Sequence, residues 1–200
     1  MNILILFYSR TGATASLANH IARGVEQVES MSARLRTVPP ISTNIHRSNP
    51  VVPESGPPYV SQEDLRECSG LALGSPTRFG NMAAPLKYFL DSTSADWMSG
   101  TLNGKPAAVF TSVSSMHGGH ETTLLSMTVP LLHHGMLIVG LPYKGTKLIS
   151  TDSGGTPYGV SHYAGANNDH RLTENEIELA LKMGERLALV AKSLCHVNLK

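Results

Sequence analysis

The residues best suited to chemistry stand near the start of the chain, in Ser9-Arg10-Thr11-Gly12-Ala13-Thr14. They follow Ile3 to Tyr8, an almost unbroken apolar run rich in β-formers. Such a run predicts a strand buried on both faces, as in a parallel sheet. After the turn, Leu17, Ala18, Ile21, Ala22 and Val25 fall on one face of a predicted helix. Strand, hydroxyl-rich turn and helix together make an anion site. The first N–H groups of the helix point at the anion, and the macrodipole adds about half a positive charge there. Ser9, Thr11 and Thr14 can donate further hydrogen bonds, and Gly12 lets the backbone come close. The turn matches neither GxxxxGK[ST] nor GxGxxG. Hydroxyls in place of a lysine suit a single phosphate monoester. Ser and Thr at this position are also ordinary helix caps, so the turn alone leaves both roles open.

Two later stretches have the same small, polar character. Ser69 to Ser75 reads as a strand and runs into Pro76-Thr77-Arg78-Phe79-Gly80-Asn81-Met82, where Pro76 bars a helix at Ser75. Lys105 to Ser112 reads as another strand and runs into Val113-Ser-Ser-Met-His-Gly-Gly119. Both loops are expected at the carboxyl ends of strands, the edge where open α/β sheets bind ligands. Arg78 could stabilise negative charge on a ligand or form a surface ion pair. Phe79 could pack in the core or against a ligand. His117, His120, His133 and His134 have no cysteine beside them at metal-binding spacing, so no metal is expected. Trp97, the only tryptophan, lies in the polar stretch Ser92 to Gly104 and suits an interface, a planar ligand or a cover over the sheet edge.

The elements that must hold these loops alternate. Strands are expected at Ile3–Tyr8, Ala33–Val38, Ser69–Ser75, Lys105–Ser112 and Met136–Leu141. Helices are expected after Gly12, from Ser61 (a capping-box-like start), over Ala83–Leu90, over Glu121–His134 with Gly135 as its stop, and over Ile177–Leu194 after the capping box at Thr173 and Glu176. This pattern predicts one α/β domain over residues 1–200, a doubly wound five-stranded parallel sheet with helices on both faces. Two segments stand outside it. Residues 39–60 hold six of the twelve prolines and form a loop, either functional or a plain surface excursion; 142–172 is a glycine-rich, irregular insertion. The net charge of +1 and the absence of a basic run speak against nucleic acid as a partner. Cys68 and Cys195 follow no metal or redox spacing and read as reduced thiols. No apolar run approaches the roughly 18 residues of a membrane helix, and no signal peptide is visible. A cytoplasmic protein without membrane insertion is expected.

The strand pattern with a hydroxyl-rich first loop resembles the flavodoxin-like fold. Gly74-Ser-Pro-Thr-Arg-Phe-Gly-Asn-Met82, His133-His-Gly-Met136 and Gly154-Gly-Thr-Pro-Tyr-Gly159 are similar to motifs of the WrbA-type NAD(P)H:quinone oxidoreductases, and the likeness covers nearly the whole chain. The resemblance implies bound FMN, NADH or NADPH as co-substrate, a quinone as acceptor and a homotetramer. It places Ser9, Arg10, Thr11, Gly12, Ala13 and Thr14 at the FMN phosphate, and Pro76, Thr77, Arg78 and Phe79 against the flavin ring. Ser112, Val113, Ser114 and Gly118 would pass along the ring's other edge. His133 would approach the flavin as the catalytic residue, supplied by the same or a neighbouring subunit. Thr11 and Trp97 would face the substrates. The chain departs from the family at Thr11, where many members have tyrosine, and at Val113–His117, which replaces a loop richer in Thr and Gly. The resemblance further implies two-electron reduction of quinones by a ping-pong hydride route, with solvent or His133 supplying a proton. Two other functions fit the fold. A flavodoxin-type electron carrier is disfavoured by the balance of 15 acidic against 16 basic residues, since carriers dock through strongly acidic surfaces. A non-enzymatic partner of a transcription repressor has no feature of the sequence in its favour.

Overall fold

The computed structural model describes residues 1–42, 52–195 and 197. Residues 43–51 of the expected Pro-rich loop lie outside that set. The chain opens with β1 (Asn2–Phe7), α1 (Ala13–Glu26) and β2 (Ser32–Thr37), followed by α2 (Gln62–Glu67) and β3 (Gly70–Arg78). A two-residue β4 (Asn81–Met82), α3 (Ala84–Asp91), α4 (Ser94–Met98) and β5 (Pro106–Val113) come next. The last elements are α5 (His120–His133), β6 (Leu137–Ile138), β7 (Val160–Tyr163) and α6 (Glu174–Leu194).

The sheet runs β2-β1-β3-β5-β6, every pair on this path parallel. This is the flavodoxin-like order, with the crevice between β1 and β3 as its switch point. Alternation along the strands divides the core. Ile3, Ile5, Phe7, Ala72, Ala108 and Phe110 face a layer built from α1 and α6, with Leu17, Ile21, Leu179 and Met183. Leu4, Leu6, Leu71, Leu73 and Val109 face the other layer, with Leu65, Leu86, Leu124 and Met127 from α2, α3 and α5. Continuous burial on both faces explains why β1 reads as an unbroken apolar run. Where α1 meets α6 the backbones nearly touch. A Cβ added at Gly24 would lie 2.0 Å from the carbonyl oxygen of Leu181, and one at Gly184 would lie 2.0 Å from that of Ile21.

Three features depart from the sequence expectation. The fifth strand is split: β6 pairs with Pro106 and Ala107, and β7 pairs with Phe110 to Val113. The chain leaves the sheet after Val139, whose N–H still reaches Ala107 O, and returns at Val160. The segment 142–172 is therefore not wholly irregular, because its later part supplies the edge beside the loops. Next, β3 runs on through Pro76 and Thr77 to Arg78, because β4 folds back on it in an antiparallel pair. Lastly, the polar stretch around Trp97 holds the short helix α4. The two capping boxes form as read: Ser61 with Asp64 caps α2, and Thr173 with Glu176 caps α6.

Candidate active site

The three polar loops meet at the carboxyl ends of β1, β3 and β5. After Phe7, Tyr8 donates its N–H to Gly74 O, and the chain turns through Ser9 to Gly12 into α1. Gly12 holds φ 101 as the N-cap, a conformation costly for any residue with a Cβ. Ser9 Oγ accepts the N–H of Gly12 at 3.1 Å and of Ala15 at 3.3 Å. The N–H groups of Ala13 and Thr14 have no hydrogen-bond partner among the described residues. They remain available to an anion, as the first N–H groups of a helix do when no side chain caps them.

The second loop is braced from α5. Thr77 Oγ1 lies 2.6 Å from Thr123 Oγ1, and a Cβ on Gly119 would sit 3.0 Å from the Cα of Gly80. Phe79 takes φ 52 and projects fully into solvent. Arg78 bends back so that its Nη1 donates to Thr77 O at 2.7 Å. The third loop is tied to the first. Thr14 Oγ1 lies 2.8 Å from Ser112 Oγ in a buried hydroxyl pair. The third loop is tied to the second as well, since Thr111 Oγ1 donates to Ser75 O at 2.7 Å.

Together the loops enclose a cavity of about 350 Å³. The first turn lines it with Arg10, Thr11 and Ala13, the second with Pro76, Thr77 and Arg78, and the third with Ser112, Val113 and Ser114. Ser9, Gly12 and Thr14 stand behind these residues in the same turn. Gly118 is not among the lining residues, and its N–H closes a local turn onto Ser115 O. Arg10 and Arg78 also border a wider groove of about 830 Å³, with Tyr8, Met82, Lys87 and Tyr88 on its walls.

His133 and Trp97 come together, but elsewhere. Trp97 Nε1 donates to the carbonyl of His133 at 2.8 Å, and both line a separate hollow of about 460 Å³. His133 ends α5, about 20 Å along the helix from its start beyond the third loop. Within one chain neither residue reaches the cavity. His134 turns its Nε2 to Thr93 Oγ1 at 3.0 Å rather than to the carbonyls that end the helix.

Sequence reasoning missed Ala164 and Asn168, which complete the cavity wall. Asn168 sits at φ 51, a left-handed conformation that asparagine tolerates, so its neighbourhood of small residues was the available signal. It also missed the support beneath. His162 pairs in register with Ser112 on β7. Its Nδ1 donates to buried Glu176 at 2.8 Å and its Nε2 to Asp169 O at 2.7 Å. Glu176 also accepts from Ser153 Oγ and from the N–H groups of Gly154, Tyr163 and Thr173. Burial opposes its charge, but the bond from His162 and these other donors prevail and hold the carboxyl down at about 2. Burial likewise opposes charge on His162, yet Glu176 and the Asp169 carbonyl raise its pKa above the ordinary histidine value. Buried His120, at the start of α5, has no hydrogen-bond partner for either ring nitrogen among the described residues, and burial pushes its pKa down. Among the described residues no three His, Cys, Asp or Glu side chains cluster as a metal site would require.

Comparison with known proteins agrees with this geometry. Residues 1–145 match the family model of the NADPH-dependent FMN reductases. Two curated relatives, from Solidesulfovibrio magneticus and Trichlorobacter lovleyi, carry the name NAD(P)H dehydrogenase (quinone). The first is 40% identical over 97% of this chain and 99% of its own length. The second is 40% identical over 96% of this chain and 98% of its own length. A flavodoxin, WrbA-like protein from Agrobacterium tumefaciens has a similar solved structure, at TM-score 0.64 and 22% identity, covering 96% of this chain and 98% of that one. Flavodoxin 1 from Bacillus cereus superposes at TM-score 0.60 with 19% identity, covering 94% and 98% respectively. The family match over residues 1–145 and the 40% identity over nearly the full length lead to one assignment: the chain belongs to the NADPH-dependent FMN reductase family, together with relatives named NAD(P)H dehydrogenase (quinone).

Proposed function

We propose that this enzyme binds FMN in the 350 Å³ cavity and uses it to carry two electrons from NADH or NADPH to a quinone. The observation that carries the reading is the convergence of three loops on one polar cavity beside a helix start whose N–H groups at Ala13 and Thr14 are free. Such a cradle fits a phosphate monoester next to a planar ring. Bound FMN would supply hydride acceptance and release.

The chain's own residues would bind and orient. The N–H groups of Ala13 and Thr14, with the hydroxyls of Ser9 and Thr11, hold the phosphate. Pro76, Thr77 and Arg78, with Ser112, Val113 and Ser114, would hold the ring from the second and third loops. The Arg78 guanidinium would favour negative charge on a ligand held in the cavity. Nicotinamide and quinone would take turns in the groove walled by Tyr8 and Tyr88, and this alternation at one place gives ping-pong kinetics.

His133 and Trp97 enter this scheme through assembly. Half-exposed Trp97 shares its hollow with Val129, and exposed Met98 and Leu132 lie close by in sequence. A surface of this kind suits contact between copies. In a homotetramer, His133 and Trp97 of one subunit would wall the cavity of another. No helix among the described residues is long and apolar enough to cross a membrane.

The test is a visible spectrum of the purified protein with FMN under argon. NADH or NADPH should bleach the flavin band, and a quinone should restore it within the same cuvette. Protein that binds no FMN, or bound FMN that no nicotinamide bleaches, would overturn the reading.

A further inference from the structure

The Ser9–Thr14 turn offers hydroxyls, N–H groups and one cation, Arg10, all from one side of the anion they would hold. The structure brings a second side. After β7 the segment Ala164–Arg171 folds back over the start of α1. A Cβ built on Gly12 would lie 3.9 Å from the Cβ of His170 and 4.0 Å from its Cγ. His170 therefore rests on the turn at the residue where the helix begins. Ala164 and Asn168, from the same segment, line the cavity beside Arg10, Thr11 and Ala13. The His170 ring is exposed, and neither ring nitrogen has a hydrogen-bond partner among the described residues.

The segment is firmly held. Ala164 donates its N–H to Val113 O at 2.8 Å, which fixes the segment to the third loop. The N–H of Asp169 returns to Ala164 O at 2.8 Å. His162, itself locked by Glu176, donates to the Asp169 carbonyl immediately before His170. The one carboxylate of the segment is occupied. Asp169 accepts the N–H of Arg171 at 2.9 Å, and its guanidinium from 3.1 Å. What remains free beside Gly12 is an imidazole with an N–H to give.

We propose that Ala164–Arg171 is a clamp on the phosphate of the flavin mononucleotide, in which His170 donates a hydrogen bond to a terminal phosphate oxygen from outside α1. The proposal rests on the flavin reading above. A phosphate monoester has three terminal oxygens. The helix start can serve those facing Ala13 and Thr14, and an oxygen turned away from α1 needs a donor from another element. His170, with its Cβ and Cγ against Gly12, is a residue of such an element that carries an unpaired N–H. This chain would then recognise the phosphate from two elements 150 residues and more apart in sequence, one of them beyond residue 145, where the family model ends.

Riboflavin has the same ring without the phosphate and separates this contact from ring binding. The experiment measures the dissociation constants of FMN and riboflavin by flavin fluorescence for the parent, His170→Ala and His170→Gln, with inorganic phosphate as a competitor. His170→Ala should weaken FMN about tenfold, the size of one hydrogen bond to a charged group. Riboflavin should stay within about twofold. His170→Gln, which keeps an N–H donor, should recover most of the FMN loss, and phosphate should compete less well against FMN in His170→Ala than in the parent. Unchanged FMN binding in His170→Ala overturns the proposal. So does an equal loss for both flavins, which would make His170 a shaper of the ring pocket. A parent that binds neither flavin overturns the flavin reading itself, a different outcome from either.

Discussion

Glu176 is completely buried, 2.8 Å from Nδ1 of His162, and the two ring nitrogens of His162 both face acceptors. An imidazole with two acceptors is an imidazolium, so a buried ion pair stands beneath the cavity wall. His162, raised, contributes stability that is whole below its unfolded value of 6.5 and is lost as pH rises through the folded value. Glu176, lowered to about 2, contributes stability that is whole above 4.5 and is lost as pH falls toward 2. His120 has the opposite sign to His162: held neutral by burial, it costs stability below 6.5. Thermal midpoints across pH should therefore peak close to 6.5 and decline on the alkaline side. His162→Gln should flatten that alkaline decline, and an unchanged slope would remove His162 as its cause.

Removing one member of the pair leaves the other charge buried. Glu176→Gln should cost about 3–5 kcal/mol, a fall of roughly 10 °C in thermal midpoint for a chain of this size. Differential scanning calorimetry near pH 6.5 reads this directly. A loss below about 1 kcal/mol would mean that the other donors around Glu176, not His162, set its environment.

The hydroxyl pair between Thr14 and Ser112 joins the Ser9–Thr14 turn to β5. Thr14→Ala keeps the N–H and removes only the buried hydroxyl, so it should weaken FMN no more than a few-fold while costing about 1 kcal/mol of folding stability. Ser9→Ala should weaken FMN about ten- to a hundredfold, and it also strips the N–H groups of Gly12 and Ala15 of their acceptor. FMN bound as tightly by the double variant as by the parent would move the phosphate away from this turn.

Thr11 lines the cavity, at the position where the family resemblance implies a tyrosine. Thr11→Tyr adds stacking surface worth about 0.5–1.5 kcal/mol. The KM for NADH or NADPH should fall severalfold, with the quinone KM less affected. Steady-state kinetics with each substrate varied in turn make the comparison; a nicotinamide KM that stays level or rises counts against a nicotinamide contact at residue 11.

Trp97 and His133 are joined through one hydrogen bond, so they should respond as a unit. Trp97→Ala should raise the quinone KM and shift sedimentation toward smaller species. The thermal midpoint of the subunit core should move less, since the indole is half exposed. A parent that sediments as a fully active monomer across the assay range would leave the cavity without a neighbour's wall.

Local signals made much of this molecule legible. β1 declares itself because Ile3 to Leu6 are buried on both faces, and the first turn because Gly12 sits between hydroxyls. The loops at Pro76 and Val113 stand out because each follows a strand with residues that suit neither strand nor helix. What stayed hidden depends on partners distant in sequence. Val160–Tyr163 is four residues long with a histidine inside, and it reads as loop until Glu176 neutralises His162 from another element. Asn168 reaches the cavity, and His170 reaches Gly12, only because β7 turns the following segment toward α1. Trp97 looked stranded in a polar stretch, but α4 and the end of α5 give its indole N–H a carbonyl to meet.

The divided fifth strand also bears on how copies of the chain can meet. On that side of the sheet the border consists of β6, two residues, and β7, four residues, with the Gly140–Gly159 excursion between them. On the other side β2 carries Arg34 and Arg36, engaged by Glu67 and Asp64, and its last residue is already bridged by Tyr59. Neither border offers the long, flat, unpaired strand that templates fibril growth. Among the described residues, extension of the sheet from one molecule to the next is disfavoured at both ends.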